Sequence, residues 1–225
     1  AREVARQSIV LLKNKDKLLP LKKDIRTLAV IGPNADNVYN MLGDYTAPQA
    51  DGTVVTVLDG IRQKVSKETR VLYAKGCTVR DSSRTGFKDA IETARNADAV
   101  VMVMGGSSAR DFSSEYEETG AAKVTINQIS DMESGEGYDR ATLHLMGRQL
   151  ELLEEISRLG KPVVLVLIKG RPLLMEGAIQ EAEAIVDAWY PGMQGGNAVA
   201  DVLFGDYNPA GRLTLSVPRS VGQLP

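Results

Sequence analysis

Between Gly105 and Arg140 the sequence gathers eight carboxylates: Asp111, Glu115, Glu117, Glu118, Asp131, Glu133, Glu136 and Asp139. Most such loop charges do nothing but meet water, and Glu136 is set apart by its neighbours. In Ser134-Gly135-Glu136-Gly137-Tyr138-Asp139-Arg140 a glycine stands on each side of it. Glycines open backbone angles closed to other residues and let a ligand come close to the chain. Tyr138 offers an aromatic wall for a sugar-sized pocket, and Asp139 with Arg140 offers an ion pair that would fix the loop. A carboxyl group kept protonated by its surroundings can deliver a proton to a leaving oxygen. Cleaving a glycosidic bond that way takes a second carboxylate across the sugar ring. Spacing alone leaves this open, since glutamates between glycines also occur in ordinary turns.

Other chemistries find less support. His144 is the single histidine and Cys77 the single cysteine, which gives no metal cluster and no internal disulfide. His144 near a helix start reads as a surface or capping residue, and Cys77 as a small buried hydrophobe. Ile31-Gly32-Pro33-Asn34-Ala35-Asp36 follows a strand but has neither the dinucleotide glycine fingerprint nor a Gly-Lys-Ser/Thr ending. It reads as a turn. Gly192–Gly196 before a helix could hold an anion, though close packing of strand and helix accounts for it more simply. A net charge of −2 supplies no basic field for nucleic acid or a membrane surface. The longest apolar runs are strand-length and cannot span a bilayer.

The elements that must position this loop alternate strand and helix, the pattern of a parallel sheet covered on both faces. Strands are expected at Thr27–Ile31, Arg70–Ala74, Ala99–Met104, Pro162–Ile168 and Ala184–Trp189, as near-continuous apolar runs buried on both faces. Helices are expected at Val4–Asn14, Val57–Val65, Phe87–Asn96, Gly147–Leu159 and Gly196–Leu203, and Arg212–Val217 could add an edge strand. The irregular stretch from Gly105 to Arg140 follows the carboxyl end of a central strand, the edge of an open α/β sheet where ligands sit.

The order of five further motifs carries a resemblance. They are Ser8–Asn14 with Leu18-Leu19-Pro20-Leu21, Val30–Asp36, Lys169-Gly170-Arg171-Pro172-Leu173, Trp189–Gly196 and Gly205–Leu213. Together they are similar to the C-terminal sandwich domain of family 3 glycoside hydrolases, a group of β-glucosidases, β-xylosidases and relatives. The likeness runs over nearly the whole chain. It implies a three-layer α/β/α sandwich, flavodoxin-like, with a mainly parallel sheet of five to six strands. Residues 1–22 would lead from an N-terminal (β/α)8 barrel domain, and residues 23–225 would form the sandwich.

The resemblance also implies a retaining hydrolysis of terminal β-linked sugars, with Glu136 in the family's Ser-Gly-Glu-Gly-Tyr pattern as acid/base. Tyr138, Asp139 and Arg140 would line the carbohydrate site, no cofactor or metal would be needed, and the nucleophile would come from the barrel. This loop varies across the family, so Glu133, Glu118 and Glu117 stand as alternatives for the proton donor. A binding or scaffolding sandwich with the donor elsewhere is the competing reading, and a flavodoxin-like nucleotide-binding domain is a third. Ala1 opens the chain without a Met, so the chain reads as cut from a longer protein. Secretion or a periplasmic home comes from the resemblance alone.

Overall fold

The computed structural model describes residues 1–109, 118–119 and 131–223. Its strands are β1 (Val10–Asn14), β2 (Thr27–Ile31), β3 (Arg70–Ala74), β4 (Ala99–Gly105), β5 (Val163–Ile168) and β6 (Ala184–Asp187). Its helices are α1 (Arg2–Ser8), α2 (Val57–Lys64), α3 (Phe87–Arg95), α4 (Gln149–Ser157), α5 (Glu176–Glu181) and α6 (Gly195–Leu203). The strands form one sheet in the order β1-β6-β5-β4-β2-β3, parallel throughout except for antiparallel β1. Every residue of β2, β4, β5 and β6 is buried, which is why those runs are apolar without alternation.

Successive side chains of a strand point to opposite faces, and here each face has its own core. Val101 and Val103 join Leu28, Val30, Val164 and Val166 against α1, α2 and α6. Val100, Met102 and Met104 join Ile31, Leu165 and Leu167 against α3, α4 and α5. Helix α4 buries Leu152, Leu153 and Ile156, with Leu150 half-buried beside them. The three-layer, flavodoxin-like sandwich expected from the sequence is the fold observed.

Two expected elements differ. The helix expected over Val4–Asn14 stops at Ser8, where Ile9 turns extended, and Val10–Asn14 becomes the edge strand against β6. Its apolar spacing fits a helix, but pairing with β6 satisfies the backbone and tucks Val10 into the sheet edge, so tertiary context overrides the local pattern. Arg212–Val217, expected as an edge strand, runs irregularly past β1 with Leu213 and Leu215 exposed. It helps wall an apolar cavity of about 660 Å³ with Leu12, Met175 and Ile179. Helix α5 is a short addition that its six residues left unmarked.

With β1 set aside, the chain visits the parallel strands from the middle outward. It moves from β2 to β3 on one side, then returns past β2 to β4 on the other. The gap between β2 and β4 is therefore the topological switch point, where loops diverge and leave a crevice at the carboxyl ends of the strands.

Candidate active site

At the switch point the segments that leave β2 and β4 are tied together by buried amides and a hydroxyl. Asn34 donates to the carbonyls of Gly106 at 3.0 Å and Ile168 at 3.3 Å. Its own oxygen accepts from Asn40 at 2.7 Å, and the Ser107 hydroxyl donates to Asn40 at 2.6 Å. All three side chains belong to buried residues, and buried polar groups hold only when so paired. Behind them Gln149, wholly buried at the start of α4, exchanges hydrogen bonds with both backbone groups of Gly105, at 2.9 Å each.

Residues 131–134 are pinned to this frame from two sides. The Ser107 carbonyl accepts from the amides of Glu133 at 2.8 Å and Ser134 at 3.2 Å. The Asp131 carboxylate accepts from the Val79 amide at 3.1 Å, and Arg80 donates to the Met132 carbonyl at 2.8 Å. The Ser134 hydroxyl lies 3.1 Å from that of Tyr190, which comes from the segment after β6.

From this base the chain rises to Glu136, which is exposed at the mouth. Gly135 and Gly137 have φ of 108° and 81°, a left-handed turn that side chains with a Cβ resist. The glycine flanks legible in the sequence thus serve the turn itself. Tyr45, arriving from the β2 side, donates its hydroxyl to Glu136 Oε2 at 2.5 Å. Asp44 accepts from the Glu136 amide at 3.4 Å. Tyr45 is 77% exposed and, unusually for a residue with a side chain, has φ of 58°. Neither Asp44 nor Tyr45 stood out in the sequence; the only signal was their place in the loop after a strand bordering the switch point.

The remaining candidates face different ways. Tyr138 is half-buried, and its carbonyl accepts from Arg171 at 2.7 Å. Asp139 is exposed and does not take the Arg140 guanidinium, the pairing expected from their adjacency. Arg140 turns inward to Glu133 and to the His144 carbonyl. Glu133 is itself buried, and Glu118 is exposed. Glu117, the last of the alternatives, lies outside the described residues.

A second buried pair lies at the adjoining strand ends. Lys169 Nζ and Asp187 Oδ2 are 2.6 Å apart with side chains 1% and 0% exposed, and the ammonium stands 4.3 Å over the Trp189 ring. Burial pushes the Asp187 carboxyl above its ordinary range even against the Lys169 charge. Burial likewise drives the Cys77 thiol up to about 12, which leaves it no thiolate for nucleophilic work near neutral pH. No group of three or more His, Cys, Asp or Glu side chains among the described residues could hold a metal ion.

A flavodoxin-like sandwich whose switch-point loops present a glutamate, two further carboxylates and two tyrosines defines an α/β domain with a polar edge at the carboxyl ends of its strands. Comparison with known proteins makes the class specific. The chain belongs to the glycosyl hydrolase family 3 C-terminal domain family, whose model matches residues 9–225. It is 44% identical over its whole length to a β-xylosidase of Formosa agariphila and 39% identical to a periplasmic β-glucosidase of Salmonella typhimurium. It spans 29% of the length of each. Among solved structures it matches a β-glucosidase of Erythrobacter marinus with a TM-score of 0.81 and 36% identity, covering all of this chain and 30% of that one. A family 3 exo-β-xylosidase in complex with a xylobiose aziridine activity-based probe matches with a TM-score of 0.73 and 32% identity, over 91% of this chain and 23% of that one.

Proposed function

We propose that this chain is the sandwich domain of a retaining β-glycosidase acting on terminal non-reducing β-linked sugars, and that Glu136 is its acid/base. The relatives named β-xylosidase and β-glucosidase support the reaction class, and their greater length supports further domains in the same polypeptide. An N-terminal barrel would precede the sandwich and supply the nucleophile; residues 1–22 would form the lead into the sandwich of residues 23–225. One observation carries the choice of residue. Glu136 stands exposed at the switch-point mouth on a glycine turn, whereas its neighbour Glu133 is buried and ion-paired.

In this reading Glu136 protonates the glycosidic oxygen as the nucleophile attacks, then takes a proton from water as the glycosyl-enzyme is hydrolysed. A retaining pair stands about 5 to 5.5 Å apart, so the two carboxylates meet only when the two domains dock. Tyr138 and Asp139 would border the sugar. Export to the periplasm or beyond would accompany such foraging on glycans.

Kinetics of the full-length protein test it. Glu136→Gln should lower kcat on a β-linked disaccharide by about 10²- to 10⁴-fold, the usual weight of general acid catalysis. KM should change little, and the first sugar released by the wild type should be the β anomer by NMR. A rise in KM with kcat intact would make Glu136 a binding residue, and an α product would end the retaining assignment.

A further inference from the structure

The loop that carries Glu136 is closed at its base by two residues seven apart. Glu133 and Arg140 form an ion pair with side chains only 1% and 4% exposed, so neither presents a surface to a sugar. Burying two charges costs about as much as their attraction returns, and a pair kept under those terms is expected to fix a geometry. The other oxygen of Glu133, Oε1, is buried without a hydrogen-bond partner among the described residues and packs against Gly106, where a Cβ would stand 1.9 Å from it. Arg140 carries the lock onward by donating to the His144 carbonyl, ahead of α4. Arg171, from beyond β5, holds the Tyr138 carbonyl. The amides of Glu133 and Ser134 hang from Ser107, just past β4. The base of the loop is thus fixed to segments leaving two central strands, while its tip bears Glu136.

We propose that the buried Glu133–Arg140 pair is a positioning device for Glu136, and that Arg140 acts through it instead of binding carbohydrate. This rests on the reading of Glu136 as acid/base, and it replaces the substrate-binding role that the resemblance implied for Arg140. The consequence is selective. Loosening the pair lets the carboxyl drift from the leaving oxygen, which impairs proton delivery and leaves nucleophilic attack and sugar binding intact. Substrates whose leaving groups depart without a proton escape the defect in the glycosylation step, though not in the hydrolysis that follows, where Glu136 acts as base.

The test compares phenyl and dinitrophenyl β-glycosides with the full-length protein, carrying Glu133→Gln, Arg140→Lys or Glu136→Ala, alongside melting temperatures. Glu133→Gln should lose about 10- to 100-fold in kcat/KM on the phenyl glycoside, since a displacement of about 1 Å can cost that much. On the dinitrophenyl glycoside kcat/KM should stay within about 3-fold, because that ratio reports the glycosylation step, while kcat and KM fall together if hydrolysis of the glycosyl-enzyme slows. Arg140→Lys, which keeps the charge, should recover part of the loss. Equal losses on both substrates, following the melting temperature, would make the pair merely structural and overturn the proposal. A raised KM on both with kcat intact in Arg140→Lys would make Arg140 a sugar ligand and overturn it equally. Glu136→Ala separates the layers: if it shows no dependence on leaving group, the acid/base reading fails and takes the proposal with it. If it does show that dependence and the pair variants do not, only the positioning role fails.

Discussion

Three residues apart on one short loop, Glu133 and Glu136 share a side chain and almost nothing else. Glu133 is enclosed with Arg140, whereas Glu136 is held out on a turn beside Tyr45. Environment, not residue type, separates a fixed charge from one available to a substrate. The same reasoning governs Lys169 and Asp187, each nearly devoid of exposure and without another hydrogen-bond partner at the paired atoms. Lys169→Met should therefore cost about 3–5 kcal/mol in urea unfolding, because Asp187 is left buried without its cation, holding only the Trp189 amide at 3.2 Å among the described residues. Burial raises the Asp187 pKa, so acid protonates it earlier in the folded state than in the unfolded one. The deficit of the variant should accordingly shrink as pH falls and the buried charge is neutralised. An equal deficit across the acid range would contradict that origin. At this scale the prominence of Glu136 was legible from its glycine flanks. The partner of Arg140 was not, since adjacency to Asp139 says nothing of which way two side chains in a turn will point. Tyr45 lies 91 residues from the glutamate it touches, a contact that only the sheet order creates.

Elements were most legible where burial is complete. Strand β2 begins and ends at the expected residues, and β4, β5 and β6 differ by one or two, because a strand covered on both faces must be apolar throughout. Edge strand β3 also matches its expected bounds, although only Ala74 in it is buried. The sheet's rim was harder. Val10–Asn14 is apolar enough for either structure and is decided by its pairing with β6, through a register shift between Leu11 and Lys13. Leu213, Leu215 and Val217 alternate as a strand would, yet that stretch runs beside β1 without joining the sheet. Helix packing depends on single residues too. A Cβ on Gly60 of α2 would stand 2.1 Å from the Gly196 carbonyl of α6. Gly60→Ala should force the two helices apart and cost about 1–3 kcal/mol, as overpacking does, against the gain usual for alanine in a helix. A stabilised variant in thermal unfolding would show that the two helices can separate freely.

At the scale of the whole molecule, charge fastens the chain's opening segment to its body. Asp201 in α6 accepts from Arg2 at 2.7 Å and Lys64 at 2.6 Å. Burial acts to raise its pKa, but these two partners outweigh it and hold the carboxyl low. Hydrogen bonds from Lys23 and then Lys64 bring Asp206 from the ordinary 3.8 to about 2. A depressed carboxyl stabilises the fold above its unfolded value, and that contribution disappears as pH drops from about 4 through about 2. Asp206→Asn should thus be less stable than wild type at neutral pH and converge with it near pH 2. Parallel melting curves across that window would refute the linkage. Assembly poses a larger question, because the chain spans less than a third of its curated relatives. If the catalytic carboxylates come from two domains, the isolated chain should fold and turn over nothing.

The most direct test of the central claim uses the full-length protein with Glu136→Ala, assayed on aryl β-glycosides with and without azide. If Glu136 is the acid/base, the variant should stall at hydrolysis of the glycosyl-enzyme. Azide, an anion that needs no general base, should then restore turnover and appear in the product as a β-glycosyl azide. Near wild-type turnover without azide, or no glycosyl azide in its presence, would contradict the assignment of the proton transfer to Glu136.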